Sequence, residues 1–174
     1  MKVKDILSEI ANDADVSEEY LISEYNSLIR TLHLMLPESD GVLTSVASDG
    51  IIETTLLKEQ VRRVIYKDSE LLRASDTLRT LLPNGRLFTP ADNRIFVTVR
   101  GECKVFYRSL PEEVKRENLD NTEFPFAGAY IPLMRAWLWH RTYLYIGDFD
   151  SADVYSDEFN RLLDVFCAEN GVQR

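Results

Sequence analysis

The sequence predicts an α+β fold: a helical bundle built from both chain ends, with a small antiparallel β-domain inserted between them. Three observations lead there. Apolar residues recur at three- and four-residue steps over residues 3–35 and again over 129–170. Between those stretches the period drops to two and β-branched residues dominate. Turn dipeptides punctuate the middle section and are sparse in the outer ones. With 174 residues, 45% of them apolar and 28% charged, the composition is globular and long enough for a sizeable core. One domain is expected over 1–174, with helical parts at 1–37 and 126–171 and the β insertion at 42–108.

Val3, Ile6, Leu7 and Ile10 make the apolar face of a first helix, which Asn12-Asp13-Ala14-Asp15 breaks. Ser17 is a candidate N-cap, and Glu18 and Glu19 complement the dipole of the helix that follows. Its stripe runs Leu21, Tyr25, Leu28, Leu32, Met35 and stops before Pro37. Val42–Ala47 reads as a strand, Asp49-Gly50 as a tight turn, and 51–57 as β-prone. Val61–Lys67 reads as a strand with one charged face. Residues 71–81 suit a strand, a short helix or a loop. Pro83-Asn84-Gly85 is a turn, and Phe88 opens a short strand closed by 90–93. The alternation of Ile95, Val97 and Val99 predicts a strand over 94–100. Gly101-Glu102 would turn it into a hairpin with 103–108, which carries Val105 and Tyr107. After a polar loop at 118–126, a helix is expected from about Ala129 to Ile146, with Pro132 tolerated in its first turn and Gly147 ending it. Asp150 or Ser151 would cap a last helix with the stripe Tyr155, Phe159, Leu162, Leu163 and Phe166. The short link makes the last two helices an antiparallel hairpin.

The formal net charge of −9, with pI near 4.8, disfavours a nonspecific nucleic-acid surface. Arg62-Arg63 is read as the solvated face of a strand. Cys103 and Cys167 form no CxxC, so two reduced thiols are expected and no disulfide framework. No secretory leader and no membrane-spanning stretch is expected. His33 and His140 lack a carboxylate at metal-binding spacing and read as helix residues near the core. Asp148, Asp150 and Asp153 alternate like a calcium loop but lack its central Gly and closing Glu, so helix capping is preferred. Gly85 and Gly101 are isolated, so no phosphate-cradling loop is expected. No catalytic, metal-binding or cofactor-binding residues are assigned, and no enzyme activity is expected.

Two features stand out. Tyr130, Trp137, Trp139, Tyr143, Tyr145 and Phe149 fall within twenty residues. One helical face cannot hold them all, so Trp139, Tyr143 and Tyr145 are candidates for a subunit or partner interface. A helix at the centre of an ordinary core fits the same pattern. The last helix is acidic, and Asp153, Asp157 and Asp164 are candidates for a surface that repels DNA and lets it slide; a plain solvated face is the alternative.

The string from Tyr130 to Phe159 (YIPLMRAWLWHRTYLYIGDFDSADVYSDEF) resembles the closing hairpin of the head–tail connector (adaptor) proteins of tailed bacteriophages. Val105-Phe-Tyr-Arg-Ser-Leu-Pro111 is similar to their last strand. The opening helix pair, with Ser17 followed by Leu21-Ile22 and Tyr25-Asn26, resembles theirs. The resemblance implies a structural virion protein of the neck, made in the host cytoplasm. It implies a homo-oligomeric ring, commonly of twelve subunits, that binds the portal protein above and a tail or stopper protein below. Double-stranded DNA would pass through without specific binding, with no cofactor and no membrane. The β insertion is larger than in minimal members. A stopper or tail terminator, and a small cytoplasmic enzyme or binding module, are the alternative readings.

Overall fold

The computed structural model describes residues 2–82 and 84–172. Pro83, part of the turn expected at 83–85, lies outside them. The chain divides into a helical unit, Met1–Leu36 with Pro111–Arg174, and a sheet unit, Pro37–Leu110.

In the helical unit, α1 (Val3–Ala14) buries Val3, Ile6, Leu7 and Ile10 and ends at Asp15, which adopts a left-handed conformation (φ 52°). Ser17 caps α2 (Glu18–Met35) by accepting a hydrogen bond from the Tyr20 N–H at 3.2 Å. The expected polar loop contains a 3-10 turn at Leu119–Asn121 whose Leu119 is buried. Asn26 of α2 clamps the returning chain: its amide donates to the Val114 carbonyl at 2.8 Å and accepts from the Val114 N–H at 2.9 Å. The third long helix is preceded by a 3-10 turn at Gly128–Tyr130, so it starts at Ile131 and not at Ala129.

The sheet unit corrects the expected fold class. Its sheet is not a small antiparallel insertion. It has seven strands: β1 (Gly41–Ala47), β2 (Ile51–Glu53), β3 (Val61–Tyr66), β4 (Ser69–Arg73), β5 (Leu87–Ala91), β6 (Arg94–Val97) and β7 (Gly101–Tyr107). Their order is β1-β7-β3-β4-β5-β6-β2, and β4 pairs with β5 in parallel, so the sheet is large and mixed. Its outer strands, β1 and β2, are joined by the Asp49-Gly50 turn, so the sheet nearly closes into a barrel. The cause lies in residues 71–81, where pattern alone allowed several readings. They split into β4 and a short helix, α3 (Asp76–Leu81), capped by Ser75. A strand–helix–strand crossover returns the chain in the same direction, which is what a parallel pair needs. The two remaining helices are α4 (Ile131–Ile146) and α5 (Phe149–Glu169) of the helical unit.

The expected hairpin of 94–100 with 103–108 does not form. β6 pairs with β5 and β2, whereas β7 pairs with β1 and β3. Gly101, at φ +116°, redirects the chain between the two neighbourhoods. The inward positions were read correctly all the same: Ile95, Val97 and Val105 are buried with Ile52, Val64, Leu71 and Phe88.

Gly41 shows how tightly β1 meets β7. It lies opposite Tyr107, and a Cβ placed there would come within 2.4 Å of the tyrosine ring. Gly41→Ala is therefore expected to cost about 1–3 kcal/mol from overpacking. Chemical denaturation of the variant measures it, and an unchanged midpoint would contradict the packing described.

Candidate functional site

The aromatic-rich helix is central to its unit. Leu133, Met134, Ala136, Leu138 and Thr142 of α4 are buried. Its apolar residues on several faces are explained mainly by neighbours within the chain: α1, α2 and α5 all pack against it. Two arginines fix it to the opening helices. Arg135 makes a bidentate pair with Glu9 of α1, at 2.6 and 2.8 Å. Arg141 makes another with Glu24 of α2, at 2.8 and 3.2 Å, and the Glu24 side chain is only 13% exposed. The Glu24 carbonyl also accepts from the Trp137 indole N–H at 3.2 Å, and the Tyr20 hydroxyl donates to the Arg141 carbonyl at 2.8 Å.

The three candidate interface aromatics separate into two groups. Trp139 and Tyr143 share a face of α4 and stack with Tyr155 of α5, with ring centroids 5.3 to 6.0 Å apart. Burial pushes the Tyr143 phenol above its ordinary value, helped by Tyr155 and nearby aspartates. Both rings are half-buried. Tyr145 stacks on Tyr20 at 4.5 Å yet stays 65% exposed. With Ile146 and Phe149 it makes an exposed apolar tip on the α4–α5 hairpin.

That hairpin turns at Gly147 (φ +83°), where the Asp148 N–H donates to the Tyr143 carbonyl at 3.0 Å. The cap of α5 is Asp148, not Asp150 or Ser151: its carboxylate accepts from the Ser151 N–H at 3.1 Å and from the Ser151 hydroxyl at 2.7 Å. Asp148 precedes the first helical residue, and Ser151 sits where an N-cap finds its donor. Further along α5, Asp153, Asp157 and Asp164 are all exposed. Their spacings of four and seven residues place them on one helical face. Glu158 flanks it, paired with Arg161 at 2.7 Å.

The other singled-out residues have structural surroundings. His140, protonated at Nδ1, donates to the Ala152 carbonyl at 2.9 Å and so ties α4 to α5. His33 is half-buried near the end of α2. Cys103 and Cys167 are buried, and neither is in a disulfide. Among the described residues no group of three His, Cys, Asp or Glu is arranged to hold a metal, and no helix is long and apolar enough to cross a membrane. Arg63 is exposed and lies over the Phe106 ring at 4.3 Å. Arg62 is half-buried rather than solvated: burial, then Arg108 and Arg73, push its guanidinium down.

Four carboxylates sit below the ordinary range. Arg135 holds Glu9 down, Lys4 holds Asp120, the Ser151 hydroxyl holds Asp148, and Arg161 holds Glu158. All four belong to the helical unit. A depressed folded pKa contributes stability that is complete above the unfolded value, near about 4, and is lost as pH falls through the folded one. Acid below about pH 4 is therefore expected to loosen the helical unit ahead of the sheet unit. Hydrogen exchange across that range checks it, and equal protection loss in both units would contradict it.

The arrangement brings together packing surfaces and charge. Sequence reasoning missed Glu24 and Glu9, the partners of the α4 arginines. Two arginines on an otherwise apolar helix were the available signal for them. No protein-family model matches this chain, and no curated protein matches it either.

Proposed function

We propose that this chain is a structural protein of the bacteriophage neck, a ring subunit that joins the capsid portal to the tail and lets DNA pass. The observation that carries the reading is the packing of α1 and α2, from one chain end, with α4 and α5, from the other, around a single apolar core. The same four helices carry two of the three stretches that resemble head–tail adaptors, the third being Val105 to Pro111. The exposed apolar tip at Tyr145, Ile146 and Phe149 suits a contact with portal, tail or a neighbouring subunit. The acidic face of Asp153, Asp157 and Asp164 suits a channel wall, because like charge keeps DNA from adhering. A ring requires a head-to-tail interface, and its function would rest on shape and ring closure without turnover.

A second reading has one observation in its favour. Stoppers and tail terminators are β-dominated, and the seven-strand mixed sheet is larger than a minimal adaptor carries. Co-sedimentation of the purified chain with portal rings separates the readings. An adaptor binds portal directly, whereas a tail terminator does not. A chain that stays monomeric with portal present and never co-sediments with virions would sink both.

A further inference from the structure

The two edges of the seven-strand sheet are built differently. β2 is three residues long and ends in Glu53, which pairs with Arg94 at 3.3 Å. A short, charged edge is protected against further pairing. β1 is seven residues long, GVLTSVA, with no charge and no proline. It pairs with β7 on one side only. It packs beside β2 near the Ser48–Ile51 turn, where the two residues exchange hydrogen bonds of 2.9 Å, and among the described residues no backbone hydrogen bond joins the two strands beyond that turn. Alternate residues of β1 therefore direct their N–H and C=O groups away from β7 along an open edge. Val42, Thr44 and Val46 are exposed, the two valines at 55% and 63%.

We propose that the β1 edge pairs with the β1 edge of a second copy of this chain, antiparallel and centred on Thr44. The strand is self-complementary about that residue. Val42 falls opposite Val46 of the second copy, and Thr44 faces Thr44. Cross-strand β-branched and Thr–Thr pairs are favourable. Charge selects the same register. A chain of net charge −9 repels its own copies in general, but this edge opposes no carboxylates. The flanking Asp40 and Asp49 fall opposite Ser48 and Ser39. Each is also paired within its own chain, Asp40 with the Ser109 hydroxyl at 2.9 Å and Asp49 with Arg100 at 3.8 Å. The contact is isologous, so it closes a dimer and generates no ring. It describes the protein free of the particle and stands independently of the neck reading.

Analytical ultracentrifugation of the full chain tests it. The wild type is expected at twice the 20.1 kDa chain mass, and Thr44→Lys, which sets two cations face to face, at the single mass. Thr44 is exposed, so the substitution leaves the fold intact by circular dichroism. Thr44→Cys gives a second readout, since opposed Cβ atoms about 4.5–5.5 Å apart are near disulfide range. Mild oxidation is expected to yield a covalent dimer, whereas Val154→Cys, 66% exposed on α5, yields none. A monomeric wild type overturns the proposal and leaves the edge to a segment of another protein. A Thr44→Lys dimer, or no cross-link through Thr44→Cys, overturns it as well.

Discussion

Phe166→Ala is expected to cost the helical unit about 3–5 kcal/mol, a large fraction of the roughly 5–15 kcal/mol that stabilises an ordinary domain. The Phe166 ring is fully buried on α5. Phe126 meets it edge-on at 5.5 Å and Tyr130 at 5.1 Å. Those contacts tie three segments together: the loop before α4, the turn that starts α4, and the last two turns of α5. Tyr130 is itself fixed from α5, donating to Glu169 at 2.5 Å and accepting from Asn170 at 3.2 Å. Truncation leaves a cavity that these rings cannot close without breaking those bonds. Phe166→Leu keeps most of the volume and is expected to cost less than half as much. Urea denaturation followed by helical circular dichroism measures both. A loss below about 1 kcal/mol for the alanine variant would contradict the described core.

The helical unit was legible because its signals are local. Ser17 caps α2 and Gly147 ends α4, since each meets a requirement set within four residues. The buried faces of α1 and α2 follow from periodicity alone. The sheet was less legible because strand neighbours are not a local property. Period-two alternation gave the inward residues of β6 and β7 but not their partners. The turns that choose those partners are of two kinds. Asp49-Gly50 is readable, with Gly50 at φ +79°. Lys67-Asp68 joins β3 to β4 with both residues at positive φ and no glycine, so composition does not reveal it. Asn93, at φ 64°, turns β5 into β6 where 90–93 read only as a strand end.

The candidate site divides along the same line. Trp139 and Tyr143 sharing a face followed from their four-residue spacing. Their capture by Tyr155 depends on the hairpin closing, and the Arg141–Glu24 pair joins residues 117 positions apart. What most resists reading is whether the α5 aspartates face solvent or a channel, because that depends on molecules outside the chain.

Replacing Asp153, Asp157 and Asp164 together by Lys is expected to change DNA handling and leave stability nearly untouched. All three are exposed and none lies in the first turn of α5, so the folding cost stays within about 0.5 kcal/mol per site. The electrostatic change is large, since each exchange converts a repulsive charge into an attractive one. In an assembled ring the change is multiplied by the subunit number. If the face lines the channel, DNA gains phosphate contacts that must break before it can slide. Slower ejection and poorer packaging follow, both relieved by salt, because each phosphate contact contributes about −0.9 to the slope of log affinity against log salt. The matching Asp→Asn set removes repulsion without adding attraction and is expected to act weakly in the same direction. Unchanged packaging and ejection in the Lys variant would assign the face to solvent.

Electron microscopy of the intact particle, read for rotational symmetry and position at the head–tail junction, tests the neck assignment most directly. A closed ring of this chain is expected directly beneath the portal, with α5 along an axial channel wide enough for duplex DNA. Finding the chain absent from the particle, or placed only in the tail, would contradict it.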